Sequence, residues 1–290
     1  MKAKFIINPV AGGGKGRRTW EAVQKMLSQE GYTYDYAFSS YPQEAITLAR
    51  QAATEGFDVV AAVGGDGTVN EVANGIMGSG AALGIVPAGT GCDYIRSLPL
   101  SPDPLRAARR VFSGRRLIVD AGLVNGRYFL GVTGMGMDAE VCRRVNESLS
   151  WLWGRAAYIA GMLATLATFR PQPVCIELDE GMIATEVILV AVANARYFGG
   201  GMLIAPQANI FDGRLDVCIV QGMSKLETLQ VFPRIFTGGH TNHPSFQAHR
   251  SRRVRVTGAD SASIQAEGEL IGYLPLEAEI VPKALAVMVE

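Results

Sequence analysis

Residues 58–76 read DVVAAVGGDGTVNEVANGI, and the reading of this stretch decides the fold class. Val59 to Val63 is a wholly apolar run, of the kind that forms parallel strands buried on both faces, so a strand is predicted over Asp58–Val63. Gly64-Gly65-Asp66-Gly67 ends the run, and Thr68 to Ile76 continues as a helix. Glycines at such a turn let the backbone approach a ligand and aim its N–H groups inward, while the helix start adds its positive dipole end. Asp66 is the odd member of a phosphate loop. A carboxylate repels phosphate unless a cation lies between them, so Asp66 points to a Mg²⁺-nucleotide site. Taken alone, the same residues would equally suit a plain tight turn.

The flanks repeat the pattern. Lys4–Asn8 reads as a strand, followed by a glycine-rich loop over Ala11–Gly16 and a helix to about Glu30 that Gly31 stops. Tyr34–Phe38 is a second strand and Gln43–Glu55 a second helix. Leu83–Val86 is a further strand, closed by Pro87-Ala88-Gly89-Thr90-Gly91-Cys92-Asp93 and a short helix. Strand–helix alternation of this kind predicts an α/β domain with a doubly wound, mostly parallel sheet. Ligands bind such sheets outside the carboxyl ends of the strands, where all three glycine-rich loops fall. Three loops converging on one sheet edge are hard to explain as turns. The first, Asn8 to Lys15, is not a Walker A loop, because Gly16 follows Lys15 where Ser or Thr is needed. Nor does GGGKG stand in the frame of a dinucleotide fingerprint.

After Val119 the texture changes. Apolar and β-branched runs (Asn125–Val132, Val174–Leu178, Glu186–Val192, Leu215–Val220, Arg253–Val256, Ser263–Ala266) are separated by turn signals such as Asn125-Gly126 and Asp212-Gly213. They predict a mainly antiparallel β domain, interrupted by helices near Asp138–Asn146, Leu152–Phe169 and Lys225–Phe236. The boundary is placed near residues 115–121, giving a nucleotide-binding domain over 1–118 and a β-rich domain over 119–283. Ala284–Val289 could return as a strand to either sheet. The apolar segment 156–169, preceded by Trp151, Trp153 and Arg155, is too short for a bilayer crossing of about 20 residues. It reads as a buried helix or as one wall of an apolar cavity.

Composition narrows the function classes. Of 290 residues, 27 are Lys or Arg and 27 are Asp or Glu, 48% are apolar, and only 19% are charged. That balance excludes a disordered chain and a nucleic-acid binder driven by bulk basicity. Cys92, Cys142, Cys175 and Cys218 show no paired or metal-type spacing and read as reduced thiols. The opening MKAKFIINPV breaks at Asn8-Pro9, too early for a signal peptide, and a cytoplasmic protein is expected.

NPVAGGGKG, GGDGTVNEVANGI and PAGTGCDYIR together resemble the three blocks of the diacylglycerol kinase catalytic-domain family, in its compact bacterial form. The likeness continues through Asp120-Ala121-Gly122, FLGVTGMGMDA (Phe129–Ala139), Ala205-Pro206, Asn209-Ile210-Phe211-Asp212-Gly213 and Gln265-Ala266-Glu267-Gly268-Glu269, covering essentially the whole chain. It implies a two-domain lipid kinase with its active-site cleft between the domains, transferring the γ-phosphoryl group of ATP, with Mg²⁺, to diacylglycerol or a related lipid alcohol. On this resemblance the nucleotide contacts are Asn8, Pro9, Val10, Ala11, Gly12, Ser39, Gly64, Gly65, Asp66, Gly67, Thr68, Val69 and Thr90. Glu269 is the expected general base, which suits the chemistry: an alcohol is a poor nucleophile until a carboxylate in hydrogen-bond reach takes its proton. Asp66, near the cation, is the second catalytic expectation. Asp93, Asp120 and Glu267 are further cleft acids that would organise metal or Lys15. Asn209, Asp212 and Arg214 match a structural Mg²⁺ site made partly of backbone carbonyls. Two departures stand out. The family's GTGND has Cys92 in place of asparagine, and its DGE reads Glu267-Gly268-Glu269.

Elsewhere, His240, His243 and His249 read as solvated loop histidines. The run Arg250, Arg252, Arg253, Arg255 and the cluster Arg106, Arg109, Arg110, Arg115, Arg116 read as solvated faces, either of which could meet anionic lipid headgroups. The expected partners are a lipid alcohol, peripherally the inner membrane surface, and no nucleic acid, with a homodimer left open. The alternatives are an NAD kinase-like enzyme, which shares a GGDG loop, and a nucleotide- or lipid-binding regulator with weak or lost catalysis. In NAD kinases the second Asn-Glu motif lies well downstream, whereas Asn70-Glu71 abuts the loop here.

Overall fold

The computed structural model describes residues 1–89, 92–148 and 154–290. Thr90, Trp151 and Trp153, together with the side chain of Arg155, lie outside the described residues. The chain forms two compact units, Met1–Asp120 with Pro282–Glu290, and Ala121–Val281.

The first unit runs β1 (Ala3–Ile7), α1 (Ala11–Gln29), β2 (Tyr34–Phe38), α2 (Glu44–Thr54), β3 (Val59–Gly64), α3 (Asp66–Ile76), β4 (Ala82–Pro87), α4 (Pro104–Ser113) and into β5 (Arg115–Val124). β1 pairs in parallel with β2 and β3, and β3 pairs in parallel with β4. Every residue of β3 and β4 is buried, which is why their sequences are unbroken apolar runs. Phe5, Trp20, Val23, Leu27, Val59, Val63 and Val111 build the core beside them. The last segment of the chain returns to this sheet: Ala286 and Val287 pair in parallel with Ala82 and Leu83 of β4. The sequence reading passed over α4, taking its arginines as a charge cluster. Its helical signals are Asp103, whose Oδ1 accepts the Arg106 N–H at 2.8 Å, Pro104 in the first turn, and an apolar stripe of Leu105, Ala108, Val111 and Phe112.

The second unit continues with β6 (Arg127–Phe129), β7 (Val132–Gly136), α5 (Met137–Ser148), α6 (Gly154–Thr168), β8 (Gln172–Leu178), β9 (Gly181–Ala193), β10 (Leu215–Gln221), α7 (Lys225–Val231), β11 (Phe246–Ser251), β12 (Arg253–Thr257), β13 (Ser263–Ala266), β14 (Glu269–Tyr273) and β15 (Leu276–Val289). β9 pairs antiparallel with β7, β8 and β10, and β13 pairs antiparallel with β7 and β14. A core of Phe129, Ile176, Val190, Val192, Val217, Val256 and Leu276 lies within this sheet.

Three expected elements differ. The strand over Asn125–Val132 is two strands, β6 and β7, interrupted at Leu130 and Gly131 for a reason given below. The helix over Lys225–Phe236 stops as α-helix at Val231 and tightens into a 3₁₀ segment over Phe232–Thr237, since Pro233 has no N–H to continue the ladder. Asp212-Gly213 leads into β10 but joins no two strands, because residues 194–214 form none. α6 packs against α5. No helix among the described residues is long and apolar enough to cross a membrane.

Candidate active site

In the first unit the three loops at the carboxyl ends of β1, β3 and β4 are stitched to one another by hydrogen bonds. Asn8 donates its backbone N–H to Val63 O at 3.1 Å and its side-chain amide to Thr68 Oγ1 at 3.2 Å. Ala88 donates its N–H to Gly64 O at 2.9 Å, and Ser39 donates its N–H to Ile7 O at 2.8 Å. The residues after Val10 show why glycine is used. Gly12, Gly13 and Gly14 have φ of 59°, 73° and 88°, so regular helix begins only after them. At Gly12 a Cβ would stand 2.9 Å from Gly89 Cα, so this position is glycine both for its φ and for the approach of the third loop.

Asp66 holds this assembly together. Its Oδ2 accepts the Asp93 N–H at 2.9 Å and its Oδ1 the Tyr94 N–H at 3.1 Å, tying the second loop to the third. Burial, and then the nearby Asp93 charge, push its carboxyl up to about 6. The Cys92 thiol is a third hydrogen-bond partner of Asp66, donating its S–H to the carboxylate. Asp93 is itself buried, with Oδ1 3.4 Å from Arg96 Nε. Asp120 accepts the Lys283 N–H at 2.7 Å, a brace between β5 and the returning chain. Val69 departs from the ligand-facing set: its side chain is buried in the core and its N–H is already donated to Gly65 O. Sequence reasoning missed Asn70 as a contact. Its side-chain amide is buried with neither polar atom partnered among the described residues. Beside these loops a cavity of about 490 Å³ is lined by Lys15, Gly89, Cys92 and Arg96.

In the second unit, Glu267-Gly268-Glu269 is an anchored turn. Glu267 has φ of 56°, and its Oε1 accepts the N–H groups of Leu130 at 2.7 Å and Gly131 at 2.6 Å. The opposite side of the same segment is held by Asn194, whose side-chain amide donates to Leu130 O and whose backbone N–H donates to Gly131 O. These bonds divert residues 130 and 131 from the ladder and split the expected strand. Glu267, expected as a further cleft acid, thus has Oε1 engaged by two backbone amides. Gly131 is glycine because a Cβ would meet Glu267 Oε2 at 2.9 Å. Gln265, fully buried, accepts the Gly268 N–H at 2.9 Å and donates to Asp138 Oδ2 at 2.9 Å. Glu269 follows, with Oε2 2.6 Å from Arg127 Nη2.

Asp138 stands at the start of α5 with its carboxyl pushed up to about 6 by burial. A carboxyl raised in the folded state binds its proton more tightly there than in the unfolded chain. Ionising it as pH rises through 6 therefore costs stability, and the fold recovers it as pH falls toward 4. Asp138→Asn is expected to stabilise the protein at pH 8 relative to pH 5 by about 1.4 kcal/mol, since only the pH unit between 5 and the raised value of about 6 falls in that interval. Denaturant melts of both proteins at the two pH values check this. Identical pH dependence in wild type and variant would contradict it.

A small apolar cavity of about 70 Å³ lies among Met137, Leu189, Ile204, Met223, Phe232 and Ile235. Among the described residues its lining comes from α5, β9, β10, α7 and the segment after it, β11 and the loops carrying Ile204, Met223 and His240. Segment 156–169, read as a buried helix or one wall of an apolar cavity, contributes none of it, the side chains of residues 156–158 lying outside the described residues. His240 also lines it and is not the solvated residue expected: it is buried, donates from Nε2 to Ile204 O at 3.1 Å, and burial pushes its imidazole down. His243 lies 3.3 Å from Glu227, and His249 3.3 Å from Gln247. At the other proposed metal turn, Asp212 Oδ1 accepts the Arg214 N–H and Asn209 Oδ1 accepts that of Phe211. Arg250 lies 3.8 Å from Asp212 and 3.4 Å from Asp216, so positive charge already reaches this turn. Among the described residues no three His, Cys, Asp or Glu side chains gather to hold a metal. Several arginines offered for lipid headgroups have protein partners: Arg109 pairs with Glu30, Arg116 donates to the Gly80 and Asp58 carbonyls, and Arg255 reaches Glu277.

Comparison with known proteins matches residues 2–124 to the diacylglycerol kinase catalytic domain and residues 131–289 to the YegS C-terminal NAD kinase beta sandwich-like domain. The chain is 31% identical over 279 residues to the diacylglycerol kinase of Bacillus subtilis (strain 168), covering 95% of this chain and 92% of that protein. It is 33% identical over 294 residues to the diacylglycerol kinase of Mycobacterium tuberculosis (strain ATCC 25618 / H37Rv), covering 99% and 94%. A crystal structure of a diacylglycerol kinase from Bacillus anthracis str. Sterne shares the fold over 100% of this chain and 97% of its own, with a TM-score of 0.76 at 20% identity.

Proposed function

We propose that this chain, which belongs to the diacylglycerol kinase catalytic-domain family, transfers the γ-phosphoryl group of ATP to the hydroxyl of diacylglycerol or a related lipid alcohol. The observation that carries the reading is the triple-loop edge of the first unit. Three glycine-rich segments, cross-tied by Asn8, Asp66 and Ala88, converge at the carboxyl ends of parallel strands, a location suited to a chain of phosphates. Asn8 to Gly12, Ser39, Gly64 to Thr68 and Thr90 are the proposed nucleotide contacts.

Phosphoryl transfer asks little covalent chemistry of the protein, so positioning and charge dominate. Glu269 takes the proton of the lipid hydroxyl as its oxygen bonds to the γ-phosphorus and the bridging oxygen leaves with ADP. The neighbouring acids Asp66 and Asp93 suit a cation, because the Asp93 charge helps raise the Asp66 carboxyl. Mg²⁺ bound there with ATP would offset phosphate charge, drawing its remaining ligands from phosphate oxygens and water. Asp212, with the carbonyls of Asn209 and Arg214, is proposed to hold a second, structural cation, its carboxylate also facing Arg250.

The lipid tails are proposed to enter the apolar cavity beside α7. Met223→Phe, which narrows it with a bulkier apolar side chain, is expected to raise KM for long-chain diacylglycerol at least tenfold and to leave a short-chain analogue nearly unchanged. Equal effects on both chain lengths would remove the cavity from the account. The family description of the second unit names NAD kinase, which keeps phosphoryl transfer to NAD as the second reading, tested with NAD as acceptor.

A further inference from the structure

The kinase reading leaves one contact unused, between Arg127 and the proposed base. Arg127 donates from Nη2 to Glu269 Oε2 at 2.6 Å. Two residues beyond the end of β6, the amides of Leu130 and Gly131 bind Glu267. One short segment, 127–131, therefore grips both carboxylates of Glu267-Gly268-Glu269, while Gln265 secures Gly268 between them. The turn fixes the backbone of Glu269, and Arg127 fixes its side chain. The contact occupies Oε2 and leaves Oε1 with no donor among the described residues, and Oε1 is the atom that would take a proton. The Nε of Arg127 is buried without a partner among the described residues, so the guanidinium's strong hydrogen bond is the one to Glu269.

We propose that Arg127 is a positioning residue for Glu269, holding the carboxylate by Oε2 so that Oε1 faces the lipid hydroxyl. The inference rests on reading Glu269 as the general base. The logic is that of a base oriented by a third group, with the charge-assisted bond supplying direction. The Arg127 side chain is 20% exposed and that of Glu269 37%, so the carboxylate end of the pair is solvated and the pair contributes about 1 kcal/mol or less to folding. Removing the pair should therefore be read in turnover and not in melting temperature.

The test uses the full chain with ATP, Mg²⁺ and dioleoylglycerol in mixed micelles. Arg127→Gln is expected to lower kcat about 100-fold, the scale of a misplaced catalytic group, with KM for both substrates and Tm near wild type. Arg127→Lys should restore most of the loss, because its ammonium still reaches the carboxylate. Combining Arg127→Gln with Glu269→Gln should give the residual rate of Glu269→Gln alone, since Arg127 acts only through Glu269. Wild-type kcat in Arg127→Gln, additive losses in the double variant, or a Tm that falls in step with the rate would each overturn the inference while Glu269 remains the base. Turnover retained by Glu269→Gln would overturn the base itself, and the inference with it.

Discussion

Glu269→Gln is expected to lower kcat by about 10²–10⁴-fold, the usual contribution of a general base, while ATP affinity stays near wild type. The asymmetry follows from where the groups sit. The nucleotide loops belong to the first unit and Glu269 to the second, on β14. Glutamine keeps the shape and can still accept from Arg127, so the turn built by Gln265 and Glu267 should survive. What disappears is the ability to take a proton. Calorimetric titration with a non-hydrolysable ATP analogue separates the two properties. Turnover within tenfold of wild type would refute the base assignment, and loss of nucleotide binding would show that the variant had disturbed more than proton transfer.

Changing Asp66 should act on the other half of the reaction. Its two oxygens accept the amides of Asp93 and Tyr94, and they are what holds the third loop against the second. Asp66→Ala leaves both amides without an acceptor, at about 1–3 kcal/mol each, so nucleotide affinity should fall roughly 100-fold or more and Tm should drop. Asp66→Asn keeps one acceptor oxygen and should fall between alanine and wild type. Its carboxyl, raised to about 6, also pays for ionisation near neutrality, so asparagine loses less stability at pH 8 than at pH 5. Analogue binding and thermal melts of the two variants check the grading. Equal affinity in all three proteins would mean that the brace does not shape the nucleotide loops.

The parallel half of the fold was legible because its signals are local. Buried parallel strands read as unbroken apolar runs, and glycine-rich loops at their ends are visible as composition. β2 was read to the residue and β3 within one, and the helix after it was read in place. The antiparallel half was read in type and less well in extent, because its limits depend on distant partners. Nothing within residues 125–132 shows that a glutamate from position 267 will take two of their amides and split the strand. α4 was hidden by its arginines, although the Asp103-Pro104 start and the apolar spacing stood in the sequence. For the site, the residue types carried the resemblance, but spacing could not show what each side chain touches. Asp66 was read as a cation-facing acid, and nothing in its spacing showed that it also braces the third loop. Cys92 looked like a lost contact and gives Asp66 a hydrogen-bond partner. His240 sits in a stretch rich in glycine and turn residues, yet its ring is buried against Ile204 and Phe246. Arg127 carried no sequence signal, since a lone arginine before a strand has no motif to mark it.

The central claim is phosphoryl transfer from ATP to a lipid alcohol. It is tested most directly by incubating the protein with γ-labelled ATP, Mg²⁺ and a panel of lipid alcohols headed by diacylglycerol, with NAD as a parallel acceptor, and extracting the lipid phase. The account predicts label in a lipid product, absent with Glu269→Gln. Label in NAD alone, or tight nucleotide binding with no label in any acceptor, would contradict it.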